Sequence, residues 1–86
     1  MESGKIRVNS MILQIVENQL RDGKPAEARQ TFERLAGAGF SEEDTKHLIG
    51  SAIVAEMRNV VKTSKPFNAE RYGLLLDKLP ELQEEE

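Results

Sequence analysis

Ser41-Glu42-Glu43-Asp44-Thr45-Lys46-His47-Leu48-Ile49-Gly50-Ser51-Ala52-Ile53-Val54-Ala55-Glu56-Met57-Arg58-Asn59-Val60-Val61-Lys62 is the stretch that decides the fold. Wound as a helix at about 100° per residue, it gathers Asp44, His47, Ser51, Arg58 and Lys62 into a sector of roughly 60°. Ile49, Gly50, Ile53, Val54, Met57, Val60 and Val61 fill a broad arc opposite, and Leu48, Ala52 and Ala55 extend it. A surface helix buries only an apolar stripe, about a third of its circumference. This pattern therefore predicts a central helix with neighbours on several sides, and a narrow polar stripe bearing His47 toward solvent.

The start of that helix is marked in the sequence. Ser41 begins a capping-box pattern in which Asp44 takes the place of Glu, and Glu42, Glu43 and Asp44 put three acids in the first turn, where the helix dipole favours them. Phe40 stands at the N′ position, set to staple against Thr45 or Leu48. The helix is expected to fade over Thr63-Ser64-Lys65, because Pro66 disfavours helical geometry at the residue before it.

Outward from this core, three further helices are expected. A first runs from about Ile6 to Arg21, with Asn9 or Ser10 as alternative starts. Its apolar face carries Met11, Ile12, Leu13, Ile15, Val16 and Leu20. Asp22-Gly23-Lys24-Pro25 stops it and starts the second, since Gly23 suits a left-handed C′ position and Pro25 a first helical turn. The second, about Pro25 to Ala36, places Ala28, Phe32, Leu35 and Ala36 at helical spacing and ends at Gly37-Ala38-Gly39. The fourth runs from Ala69 to Leu79, capped by Asn68 and closed by Pro80. Tyr72, Leu75, Leu76 and Leu79 share its face, and Leu74 points the opposite way. No alternating strand pattern of useful length occurs. The expected fold is all-α, a compact four-helix domain with the third helix, about Ser41 to Lys62, in the middle.

Eighty-six residues allow one domain, read as a lead of residues 1–5, a helical core of 6–79 and an acidic tail of 80–86. Cysteine is absent, so no disulfide and no thiolate metal site supports the fold. No signal peptide is read at the N-terminus, and no window approaches the roughly 18 apolar residues of a membrane span. A cytoplasmic protein without membrane contact is expected. The net charge of −3 is concentrated in Glu81, Glu84, Glu85 and Glu86, so the body is close to neutral. Scattered basic residues and few aromatics argue against nucleic acid as a partner.

Few polar residues interrupt the apolar faces. Gln19 falls between Ile12 and Ile15 in angle, Asn9 beside Val16 and Leu20, and Glu56 between Thr45 and Ile49. One account has them hydrogen-bonded across helices at packing edges, as buried polar groups require. The other places Glu56, Gln19, Asn9 and His47 around a polar pocket between helices 1 and 3, open to a small ligand or metal. A buried Glu56 is then expected to have a raised pKa. His47, the only histidine, has Asp44 three positions before it and Glu43 four before, and is read as a solvated first-turn pair. One histidine without cysteine is a poor basis for zinc. No nucleophile–base set and no phosphate loop can be assembled, because Gly37-Ala38-Gly39 has neither phosphate-binding spacing. No catalytic residue, metal or cofactor is assigned.

Several strings occur in an order that resembles a bacterial family, domain of unknown function 1841. They are Ile15-Val16-Glu17-Asn18-Gln19-Leu20, Gly39-Phe40-Ser41, His47-Leu48-Ile49-Gly50, Lys65-Pro66-Phe67 and Arg71-Tyr72, spanning Asn9 to Leu79. The resemblance implies an all-helical fold and no activity. It also implies, for relatives with histidines at the positions of Asn9, Leu13 and Glu43, a metal cluster completed by His47. Here only His47 matches that pattern. The reading of the whole is a non-enzymatic helical protein-interaction or structural module, with a protein partner or a second copy of the chain as its occupant and Leu74 as an interaction residue.

Overall fold

Three of the four helices begin at a residue whose side chain caps them. In the computed structural model, which describes residues 7–81, α1 is Ser10–Asp22, α2 is Ala26–Gly37, α3 is Glu42–Thr63 and α4 is Ala69–Lys78. Asn9, Ser41 and Asn68 are N-caps whose side chains accept from the backbone N–H three positions on, at Ile12, Asp44 and Arg71. Pro25 precedes α2 without a side-chain cap, outside the helix and not in its first turn. The helical core expected from residue 6 starts later, because Asn9 spends its side chain on Ile12 and Arg7–Asn9 stay non-helical. The lead of residues 1–5, Ile6 and residues 82–86 of the expected acidic tail lie outside the described residues.

The helix ends are closed by local chemistry. Gly23 adopts φ 69° and returns its N–H to Gln19, the left-handed cap that glycine favours. Ser64 takes the same conformation at φ 57° and returns its N–H to Val60. Two further ends are closed from a distance, both by α2. Arg29 donates to the Leu20 carbonyl of α1 at 2.8 Å. Arg34 donates to Leu79 and Leu76 at 2.9 and 3.0 Å, at the end of α4.

Helix α3 touches α1, α2 and α4, and α2 also packs on α1 and α4. The core joins Ile12 and Val16 of α1, Ala28 and Leu35 of α2, Leu48, Ile49, Ala52 and Ile53 of α3, and Tyr72, Leu76 and Leu79 at α4. Val8 and Phe40, from the segments before α1 and α3, pack against it. Gly50 lets the chain before α1 approach: a Cβ there would stand 2.8 Å from Val8 Cγ2 and 3.1 Å from Ile12 Cγ2.

The apolar arc of α3 is not buried along its whole length. From Thr45 to Ile53 it is covered, whereas Met57 is 43% exposed and Val61 81%. The neighbouring helices cover the first half of α3 and leave the outer face of its second half open. The polar stripe departs from expectation in the opposite sense, because His47 is only 4% exposed.

Candidate functional site

Among the described residues, Glu56, Gln19, Asn9 and His47 each have their own hydrogen-bond partners. Glu56 is fully buried on α3 and faces the start of α4. Its Oε1 accepts from Arg71 Nε at 2.8 Å and its Oε2 from Arg71 Nη2 at 3.1 Å. The Asn68 N–H donates to Oε2 at 3.0 Å, and Asn59 Nδ2 approaches Oε1 at 3.5 Å. A guanidinium matches a carboxylate as a two-pronged fork, and charge-assisted bonds of this kind are the stronger ones. The Arg71 guanidinium therefore holds the Glu56 carboxyl below its usual range, against the opposing effect of burial. The raised pKa expected from burial is reversed. Arg71 was the missing residue: it lies 15 positions from Glu56, and its i, i+15 spacing on a different helix gives no periodic signal.

Gln19 lies on the α1 edge beside α4 and accepts from the Tyr72 hydroxyl at 2.8 Å. Burial pushes the Tyr72 phenol well above its usual range. The ring stacks edge-on with Phe67, centroids 5.5 Å apart. Asn9 is exposed and serves as the α1 cap. His47 accepts the Val8 N–H on Nδ1 at 2.9 Å and places Nε2 3.3 Å from Glu43 Oε2. The pair with Glu43 is present, but the imidazole in it is buried and not solvated, because the chain before α1 lies across it. Asp44, the other expected partner, instead has its backbone N–H on the Ser41 hydroxyl.

Among the described residues every buried side-chain nitrogen and oxygen has a hydrogen-bond partner. No group of three His, Cys, Asp or Glu side chains that could hold a metal occurs among them either. Glu56 and Gln19 join helices to one another, His47 joins α3 to the chain before α1, and Asn9 caps its own helix.

The surface offers something different. Val54, Met57, Arg58, Val61 and Lys62 line an open depression of about 380 Å³ on the outer face of α3. Three aliphatic side chains at helical spacing form its floor. Arg58 and Lys62, one turn apart, form one edge, and no acidic side chain among the described residues lines it. A second depression of about 370 Å³, between α1, α2 and the start of α3, is lined by Leu20, Arg21, Arg29, Phe32, Glu33, Glu42 and Lys46. Its charges are mixed and three are engaged, Arg21 with Asp22 at 3.2 Å, Arg29 with the Leu20 carbonyl and Lys46 with Glu17 at 3.6 Å. Leu74 is 62% exposed on α4, as its angular position predicts, but lines neither depression. No helix among the described residues is long and apolar enough to cross a membrane. Compared with known proteins, the chain matches no family model, no curated protein and no solved structure.

Proposed function

We propose that this protein is a non-enzymatic interaction module that docks an amphipathic helix of a protein partner on the outer face of α3. The observation that supports the reading is the strip formed by exposed Met57 and Val61 with half-buried Val54, beside Arg58 and Lys62. Helix-in-groove recognition uses apolar anchors at i, i+3 and i+4 spacing, which this strip complements. Lys62 on that edge favours a partner helix with carboxylates along one side of its apolar stripe. A second copy of the chain fits less well. Two-fold pairing of this face would bring Arg58 and Lys62 of both copies into one small contact, and like charges held together there are unfavourable. The interior is fully engaged in its own hydrogen bonds, which leaves the outer surface as the place for recognition. The likeness to domain of unknown function 1841 carries no activity, and the proposal does not rest on it.

Two fluorescent helical peptides with the same leucine stripe, one flanked by glutamates and one by lysines, test the proposal. Titration with the full chain should raise the anisotropy of the glutamate peptide alone, and Val61→Asp should abolish the rise. Equal binding of both peptides, or of neither, overturns it. A dimer in sedimentation equilibrium that Val61→Asp dissociates also overturns it, since the occupant is then a second copy.

A further inference from the structure

Among the described residues, the chain before α1 meets α3 through a backbone hydrogen bond whose acceptor is a titratable ring. Val8 is half-buried, packs against the core and lies over Gly50, the one position of α3 where no side chain blocks its approach. Its N–H donates to His47 Nδ1 at 2.9 Å. An imidazole nitrogen accepts only when it carries no proton, so this bond fixes the ring as the neutral tautomer with hydrogen on Nε2. That hydrogen points to the Glu43 carboxylate, 3.3 Å away.

We propose that His47 is a pH-sensitive latch, holding Val8 on α3 when neutral and releasing it when protonated. The added proton goes to Nδ1, where it meets the Val8 N–H as donor against donor. Glu43 is what makes the ring yield in this direction. It is a hydrogen-bond acceptor in both states of the ring and favours the cation, so the protonated imidazole stays on α3 and the Val8 contact is the one lost.

Among the described residues, Glu43 meets the ring directly. On α3, Glu43 faces Nε2, Asp44 lies one turn before the ring, and Lys46 is turned to Glu17 of α1. The segment before α1 contributes Arg7, which is exposed, and α1 meets this notch with the apolar Ile12. Among the described residues the only other buried charged side chain is Glu56, committed to Arg71. His47 is also the only histidine in the sequence.

Amide exchange and nitrogen-15 NMR of the full chain decide the matter. On lowering the pH from about 7 to about 5.5, Val8 protection, corrected for intrinsic exchange, should fall roughly five- to tenfold, as for one lost hydrogen bond. The fall should track the His47 ring shifts while α3 amides hold. His47→Gln, whose side-chain oxygen accepts at any pH, should keep Val8 protected throughout. Val8 protection that ignores pH in the wild type overturns the latch. So does an equal fall in His47→Gln, or a loss shared by all amides. The wild-type titration stands alone if the variant does not fold.

Discussion

The Glu56 carboxylate of α3 and the Arg71 guanidinium of α4 meet through two hydrogen bonds, at 2.8 and 3.1 Å. The carboxylate is completely buried, whereas the Arg71 side chain is 38% exposed. With the Asn68 N–H on the same carboxylate, one acid fixes both the cap and the first turn of α4. Because Arg71 lowers the Glu56 pKa, the unfolded chain takes up this proton at a higher pH than the folded one. Stability from Glu56 is therefore complete above the ordinary carboxyl pKa of 4.5 and is lost as pH falls below it, through the folded value. Thermal melts from about pH 7 down to about pH 3 should show a steep loss below that value. Glu56→Gln should melt lower at pH 7 and lose less on acidification. Parallel acid profiles for the two proteins would show that Glu56 is not the group responsible.

Tyr72 and Gln19 join two helices that share little other packing. The phenol is buried and donates to Gln19 Oε1, so Tyr72→Phe removes the bond without opening a cavity. The expected loss is about 1 kcal/mol, the net worth of one neutral hydrogen bond. Because the folded phenol resists ionisation, the unfolded chain loses its proton first, and stability declines as pH rises above about 10. Tyr72 is the only tyrosine, so absorbance near 295 nm reports it alone. Ionisation should coincide with alkaline unfolding seen by circular dichroism. A phenolate that forms in the folded protein near its ordinary pKa would contradict this.

Arg34 closes α4 from another helix. Its two terminal nitrogens hold the Leu79 and Leu76 carbonyls, acceptors that a helix end otherwise leaves to water. Arg34→Ala should raise amide exchange in the last turn of α4 before it does so in α3. The stability loss should be about 1 kcal/mol, since partial exposure lets water replace part of the interaction. Arg34→Lys should restore little, because a single ammonium cannot span both carbonyls as the planar fork does. Full rescue by lysine would assign the effect to charge alone.

Helix boundaries were legible because they are written locally. Ser41, Asn68 and Gly23 act within three or four residues of themselves, and each caps where its chemistry predicts. The centrality of α3 followed from its apolar arc, and its contact with all three other helices agrees. Angular position could not show how far the neighbours extend along it. Glu56 still meets the start of α4, whereas Met57 and Val61 lie on the outer face of α3, which no neighbouring helix among the described residues covers. Bonding across helices was one of the two accounts open for Gln19 and Glu56, and it holds, but the partners stayed hidden for a related reason. Helical angle identifies an odd polar side chain, but its partner lies on another element at a separation with no period. Arg71 for Glu56, Tyr72 for Gln19 and the Val8 backbone for His47 are all of this kind.

Gly50 shows how a residue that looks merely apolar in sequence can be specified by approach distance. Glycine inside a helix costs about 1 kcal/mol relative to alanine, so Gly50→Ala should stabilise α3 if space were free. Space is not free, because the new Cβ would sit 2.8 Å from Val8 Cγ2 and 3.1 Å from Ile12 Cγ2. Both neighbours are β-branched and stiff about χ1, so relief has to come from moving backbone. Overpacking of this kind costs about 1–3 kcal/mol, which offsets or exceeds the helical gain. The cheaper movement is that of Val8, which lies outside any helix, and not that of α1 itself. Gly50→Ala should accordingly change the melting temperature little and strip Val8 of its exchange protection at neutral pH. Gly50→Val, with two more methyls in the same notch, should lower the melting temperature outright. If Gly50→Ala instead raised stability with Val8 still protected, the close approach would not be what requires glycine here.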